Sequence, residues 1–179
     1  SLWSLDLSQD DLFKLAGELG SDVPFFLDGP LAFVEGRGEK ISSHRAAKAV
    51  PLLLVKPSVS VSTRWAYGNL ALSRKNGRIP KLTKKSHKSD NIRLLIENIG
   101  QNDLNRDSNI VNDLEPVTVK RFPVIAEIKD TLLKEGAVFS LMSGSGSTVF
   151  GVFESLEKAK SASVSFKNCW TAVVQTLTD

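Results

Sequence analysis

Leu141-Met142-Ser143-Gly144-Ser145-Gly146-Ser147-Thr148-Val149-Phe150 sets two short apolar runs, 137–142 and 149–153, around a segment made only of Ser, Gly and Thr. β-Branched and aromatic residues suit strands, and a small polar insert suits a tight connection between them. Gly144 and Gly146 can take positive φ and leave room for a second backbone or a ligand. Successive N–H groups there can form an anion-binding nest. An unliganded hairpin turn accounts for the same residues, so both readings stand open. Two familiar phosphate loops are excluded: no Lys follows the glycines, and Val149 stands where the third Gly of G-x-G-x-x-G belongs.

Outward from this loop, the chain reads as strands and helices. Upstream, Pro123 opens a helix that uses Ile125, Ile128 and Leu132 and closes at Gly136. Downstream, residues 156–166 form a moderately amphipathic helix, and 170–177 a final strand. Pro51-Leu52-Leu53-Leu54-Val55 reads as a buried strand stopped by Pro57. Thr63 then caps a short helix carrying Trp65 and Tyr67. Ser89 caps another through Ile92, Leu95, Ile96 and Ile99 to Gly100, and Ile110 to Glu115 is the approach to a third or its start. This order predicts an α+β fold, an antiparallel sheet with helices on one face.

A boundary falls in the Ser/His/Arg/Ala/Lys-rich stretch 42–50, dividing the chain into 1–47 and 48–179. In the leading piece, Ser1 to Leu7 reads as the tail of a helix. Ser8 caps the next one, with Asp11 three residues on and Leu12, Leu15, Ala16 and Leu19 at helical spacing; Gly20 suits its C′ position. Residues 31–41 read as a hairpin around Gly36-Arg37-Gly38.

Between helix and hairpin lies Ser21-Asp22-Val23-Pro24-Phe25-Phe26-Leu27. Pro24 suits the first position of a short helix, with Ser21 or Asp22 as its cap. The alternative for Asp22 is chemical: a carboxylate at a loop, beside an apolar Phe25-Phe26 wall, can orient an attacking hydroxyl and accept its proton.

Composition narrows the classes. Of 179 residues, 41% are hydrophobic and 24% charged, as in ordinary soluble globular chains. No apolar run approaches the ~20 residues of a membrane-spanning helix, and no membrane partner is expected. The single Cys169 excludes an internal disulfide and a Cys-rich metal site. It fits a reducing, cytoplasmic setting and a buried place on the last strand. His44 and His87 lack metal-ligating neighbours and read as surface residues.

The net charge of +3 is local: residues 74–88 hold seven Lys and Arg and no acid, leaving 16 basic against 20 acidic residues elsewhere. With Gly77 and Pro80 inside it, this reads as a solvated loop. No aromatic residue interrupts it, so nucleic acid is not the expected partner. A non-catalytic binding module using this loop is the rival reading.

Gly20-Ser21-Asp22-Val23-Pro24-Phe25-Phe26-Leu27, Gly36-Arg37-Gly38-Glu39, Asn112-Asp113-Leu114-Glu115 and Met142 to Phe150 occur in this order, and together they resemble the GHMP kinases over nearly the whole chain. The resemblance implies the end of that family's N-terminal, ATP-binding domain followed by its C-terminal domain. It implies transfer of phosphate from ATP, with Mg²⁺, to the 2-hydroxyl of a cytidine-diphosphate-linked methylerythritol, a step in non-mevalonate isoprenoid precursor synthesis. Another small-molecule acceptor, such as homoserine or a mevalonate derivative, is the alternative within the family.

By the same resemblance, Asp22 is the catalytic base, Tyr67 stacks on the cytosine ring and Thr63 lies beside it. Gly144, Ser145, Gly146 and Ser147 then form a wall of the nucleotide site. The family's early catalytic Lys and its Gly/Ser-rich phosphate loop have no counterpart here. The chain is therefore expected to be the C-terminal part of such an enzyme, inactive by itself.

Overall fold

The computed structural model describes residues 6–27, 31–36, 40–44, 48–77 and 110–178. Two compact units divide the chain, Ser1–Lys48 with Leu177–Asp179, and Ala49–Thr176.

In the first unit, helix α1 (Gln9–Leu19) starts where Ser8 Oγ accepts from the Asp11 backbone N–H at 3.2 Å, and the Ser8 hydroxyl donates to the Asp11 carboxylate at 2.6 Å. Gly20 ends it as expected, but with φ of 167° this is extended backbone and not a left-handed cap. Asp6 and Leu7 are not helical, contrary to the expected helix tail. The apolar stripe of α1 is covered only at Ala16, with Leu12, Leu15 and Leu19 exposed. One helix and a two-stranded hairpin carry too little apolar surface to bury such a stripe among themselves.

A 3-10 turn (Pro24–Leu27) begins at Pro24, as its fixed φ favours. The hairpin follows as β1 (Leu31–Glu35) and β2 (Lys40–His44), antiparallel, with Leu31 opposite His44. His44 is half-buried, not a plain surface residue.

The second unit is a four-stranded antiparallel sheet in the order β4-β5-β3-β6, formed by β3 (Pro51–Lys56), β4 (Phe139–Met142), β5 (Val149–Val152) and β6 (Trp170–Gln175). Registers place Leu53 opposite Gly151 and Val173, and Val55 opposite Val149 and Thr171. Directly opposed residues share a face. That face carries Leu53, Val55, Met142 and Val149, all at most 1% exposed.

Four helices bury their apolar sides in the same cluster: α2 (Thr63–Lys75) with Ala66 and Leu70, α3 (Glu115–Arg121) with Val117, α4 (Val124–Lys134) with Ile125, Ile128 and Leu132, and α5 (Leu156–Ser163) with Ala159 and Ala162. Leu52, Phe139, Phe150 and Val152, on the opposite face, form a smaller cluster with Val50 and Ile110. The fold is the expected α+β arrangement.

Helix α4 shows why its ends were readable. Pro123 is its N-cap, and Gly136 takes φ of 94° one residue past its C-cap. Ala137 N–H then bonds Leu132 C=O at 2.9 Å and Gly136 N–H bonds Leu133 C=O at 3.2 Å, the two reversed bonds of a Schellman end.

Several expectations are corrected. Ser62, not Thr63, caps α2, and the helix runs on to Lys75, so Arg74 and Lys75 are its last turn and not a solvated loop. Positive side chains there complement the helix dipole. Helix α5 ends at Ser163 and β6 at Gln175, both earlier than expected. Cys169 is half-buried in the turn before β6, where burial pushes its thiol pKa up. The helix expected from Ser89 to Gly100, His87 and the rest of the basic stretch from residue 78 lie outside the described residues. Among the described residues, no helix is long and apolar enough to cross a membrane.

Candidate functional site

The Ser/Gly loop joins β4 to β5 as a closed turn. Ser143 N–H bonds Thr148 C=O at 2.9 Å, and Gly146 N–H bonds Ser143 C=O at 2.9 Å. Gly144 and Gly146 have φ of 54° and 89°. At Gly146 a second constraint acts: an added Cβ would lie 2.8 Å from Met142 Sδ and 3.4 Å from Thr118 Cγ2. The loop therefore rests directly on the core, with no space for a side chain there.

Side chains from distant segments fasten it. Ser147 Oγ donates to Val59 C=O at 2.6 Å, which ties the loop to the segment after β3. Thr63 Oγ1 and Ser145 Oγ share a hydrogen bond of 2.9 Å, which ties it to the first turn of α2. From α3, the fully buried Thr118 hydroxyl donates to Leu114 C=O at 2.9 Å and lies 3.5 Å from Ser145 C=O.

The approach to α3 and the first residue of that helix supply three more bonds. Asn112 Nδ2 donates to Met142 C=O at 2.8 Å and to Gly144 C=O at 2.7 Å, while Glu115 Oε2 accepts from Met142 N–H at 2.9 Å. Glu115 Oε1 pairs with Lys129 of α4. Between them, Asp113 takes the Arg74 guanidinium at 2.7 Å and so anchors the end of α2 to the same segment.

The second unit thus brings together Thr63 and the loop residues Gly144, Ser145, Gly146 and Ser147. Thr63, expected beside a substrate, spends its hydroxyl on Ser145. Tyr67, one turn further along α2, is 60% exposed, whereas Trp65 packs edge-on against Phe122 at 5.9 Å between ring centroids. Of the two aromatics of this helix, Tyr67 is the exposed one.

Asp22 belongs to the first unit. It lies exposed in the turn between α1 and the 3-10 turn, where Val23 N–H bonds Gly20 C=O at 3.2 Å. Among the described residues its carboxylate has no hydrogen-bond or ion-pair partner, and the side-chain cap expected as one of its roles is not made. Asn112, Glu115 and Thr118 were not singled out as site residues. For the first two, spacing was the available signal, an Asn followed three residues later by a Glu that begins a helix.

The fold and this loop are shared with one protein family. The family model described as the GHMP kinases C terminal matches residues 83–172, half of the chain, and the chain belongs to that family. It is 40% identical over 179 residues to the 4-diphosphocytidyl-2-C-methyl-D-erythritol kinase of Thermodesulfovibrio yellowstonii, spanning 99% of this chain and 60% of that protein. The enzyme of the same name from Clostridium novyi is 38% identical over 178 residues, with the same coverage.

A crystal structure of 4-(cytidine 5'-diphospho)-2C-methyl-D-erythritol kinase matches with a TM-score of 0.73 at 27% identity, covering 98% of this chain and 60% of that one. Homoserine kinase from Cytophaga hutchinsonii shares the fold, with a TM-score of 0.70 at 21% identity, covering 99% and 60%. The chain spans about 60% of the length of the relatives it matches.

Proposed function

We propose that the intact protein transfers the γ-phosphoryl group of ATP to the 2-hydroxyl of 4-diphosphocytidyl-2-C-methyl-D-erythritol, in the cytoplasm, as a step of isoprenoid precursor synthesis. The observation that carries this reading is the 40% identity, along 99% of the chain, to a relative bearing that name.

In this reading the substrate hydroxyl oxygen attacks the γ-phosphorus, its proton passes to the Asp22 carboxylate, and ADP leaves. Asp22 is suited to that task because nothing described competes for its oxygens. Phosphoryl transfer asks the protein mainly for positioning and charge stabilisation, which is the part assigned to the 143–147 loop as a wall of the nucleotide site. Tyr67 supplies an exposed ring for the cytosine, with Thr63 at the near end of the same helix.

Mg²⁺ is expected with ATP. Among the described residues no group of three or more His, Cys, Asp or Glu side chains comes together, so they offer no all-protein cage for it. Mg²⁺ commonly binds through phosphates and one or two carboxylates, and in this reading it arrives with the triphosphate.

The test is turnover of the intact protein with ATP and three acceptors: the cytidine-diphosphate-linked methylerythritol, homoserine and mevalonate. Preference for the first, by kcat/KM, is the expected result. Preference for either of the others overturns the acceptor assignment, and turnover of none overturns the kinase reading for this protein.

A further inference from the structure

We infer that Asn112 and Glu115 are positioning residues for the 143–147 loop, acting through the side of β4 that faces away from β5. The functional consequence rests on the kinase reading above; the geometry does not.

Among the described residues β4 is an edge of the sheet, and its alternate residues turn their N–H and C=O away from β5. Met142, the last residue of β4, has both of those groups taken by side chains from far along the chain. Its N–H goes to Glu115 and its C=O to Asn112. The same amide nitrogen reaches past Ser143 to Gly144 C=O, so Asn112 holds the chain on both sides of the point where strand becomes loop.

Every side-chain polar atom of the pair has a partner. An amide offers two N–H donors, one for each carbonyl, and Asn112 Oδ1 accepts from Leu114 N–H at 3.0 Å. That last bond sets the amide orientation, because a flipped Asn would face two carbonyls with its own oxygen. Glu115 gives one oxygen to Lys129 and the other to Met142, and its side chain is only 16% exposed. A satisfied network of this kind is stiff, and a half-satisfied one is costly. The other side-chain ties, Ser147 to Val59, Ser145 to Thr63 and Thr118 to Ser145 C=O, act on the far part of the loop, and at its departure from β4 the Ser143 N–H to Thr148 C=O bond acts beside Asn112 and Glu115.

Asn112→Asp is the sharpest test, since it keeps the acceptor for Leu114 and replaces the donor with an oxygen facing Met142 and Gly144 C=O. In the intact protein, amide hydrogen exchange over residues 143–148 is expected to accelerate about ten-fold or more, with exchange in α4 unchanged. Unchanged exchange in the loop, or equal acceleration throughout the unit, overturns the positioning role.

In kinetics, a loop displaced by a fraction of an ångström is expected to lower kcat by roughly 10–10²-fold and raise the KM for ATP, leaving the acceptor KM nearly unmoved. Loss of kcat with both KM values unmoved, alongside a lowered unfolding midpoint, marks a merely structural role and overturns the proposal. Glu115→Gln keeps an acceptor for Met142 N–H and is expected to retain most of the kcat that Glu115→Ala loses. Equal losses overturn the assignment of Glu115. If the wild-type protein phosphorylates no acceptor, the kinase reading has failed, and the exchange measurement still decides whether Asn112 positions the loop.

Discussion

The loop Ser143–Thr148 and the turn Gly20–Pro24 are both short polar connections, and they are held in opposite ways. The loop is gripped by Asn112, Thr118, Thr63 and the Val59 carbonyl, and it presses on Met142. The turn has the Val23 to Gly20 and Phe26 to Val23 backbone bonds, and its Asp22 carboxylate is exposed and unpartnered among the described residues. In the proposed reading, a carboxylate that accepts a proton gains from free oxygens, whereas a loop that forms a wall of the nucleotide site gains from being held in place. The first region should therefore fail in stability when altered, and the second in activity alone.

The largest expected effect tests that division at the turn. In the intact protein, Asp22→Asn should lower kcat by about 10²-fold or more, the usual weight of a positioned base. Stability should move by less than ~0.5 kcal/mol, as for other exposed substitutions. Near-normal turnover would remove Asp22 from the chemistry, and a large loss of stability would show that the turn is not as loosely held as its contacts indicate.

The reverse pattern is expected at the loop. Gly146→Ala adds a Cβ at 2.8 Å from Met142 Sδ to a residue with φ of 89°. Overpacking and a left-handed backbone together should cost about 1–3 kcal/mol, read from the urea midpoint at constant m-value. An unshifted midpoint would mean that the loop is free to move off the core, and the contrast between the two regions would collapse.

What could be read in the sequence divides along the same line. Signals carried by neighbouring residues were legible: the Ser8 cap, Pro123 and Gly136 around α4, the apolar run of β3 and the two strands flanking the glycines. Contacts between residues far apart in the chain were not. Arg74 looked like part of a solvated basic loop because its partner, Asp113, lies 39 positions away, and that pair sits at the last turn of α2. Asn112 is 30 positions from Met142, so its motif could be noticed but not its purpose. Thr63 looked like a cap because Ser62 and Thr63 offer the same hydroxyl chemistry, and only the backbone angles separate them. At the candidate site, the loop was therefore legible as a turn, but its fastening was not.

Tyr67 gives the smallest effect and joins the two halves of the contrast. It stands on the same helix as Thr63, whose hydroxyl is tied into the loop, yet its own ring is exposed like the carboxylate of Asp22. If exposure marks the groups that meet ligand, Tyr67→Ala should leave the unfolding midpoint unchanged and raise the KM of the cytidine acceptor roughly ten-fold, about the weight of one stacked base. The KM for ATP should stay where it is, because stacking on cytosine touches only one substrate. Equal rises for both substrates would make Tyr67 a support for the loop and not a ligand contact. A shifted midpoint would do the same, since a ring that stabilises the fold is not one held open for a base.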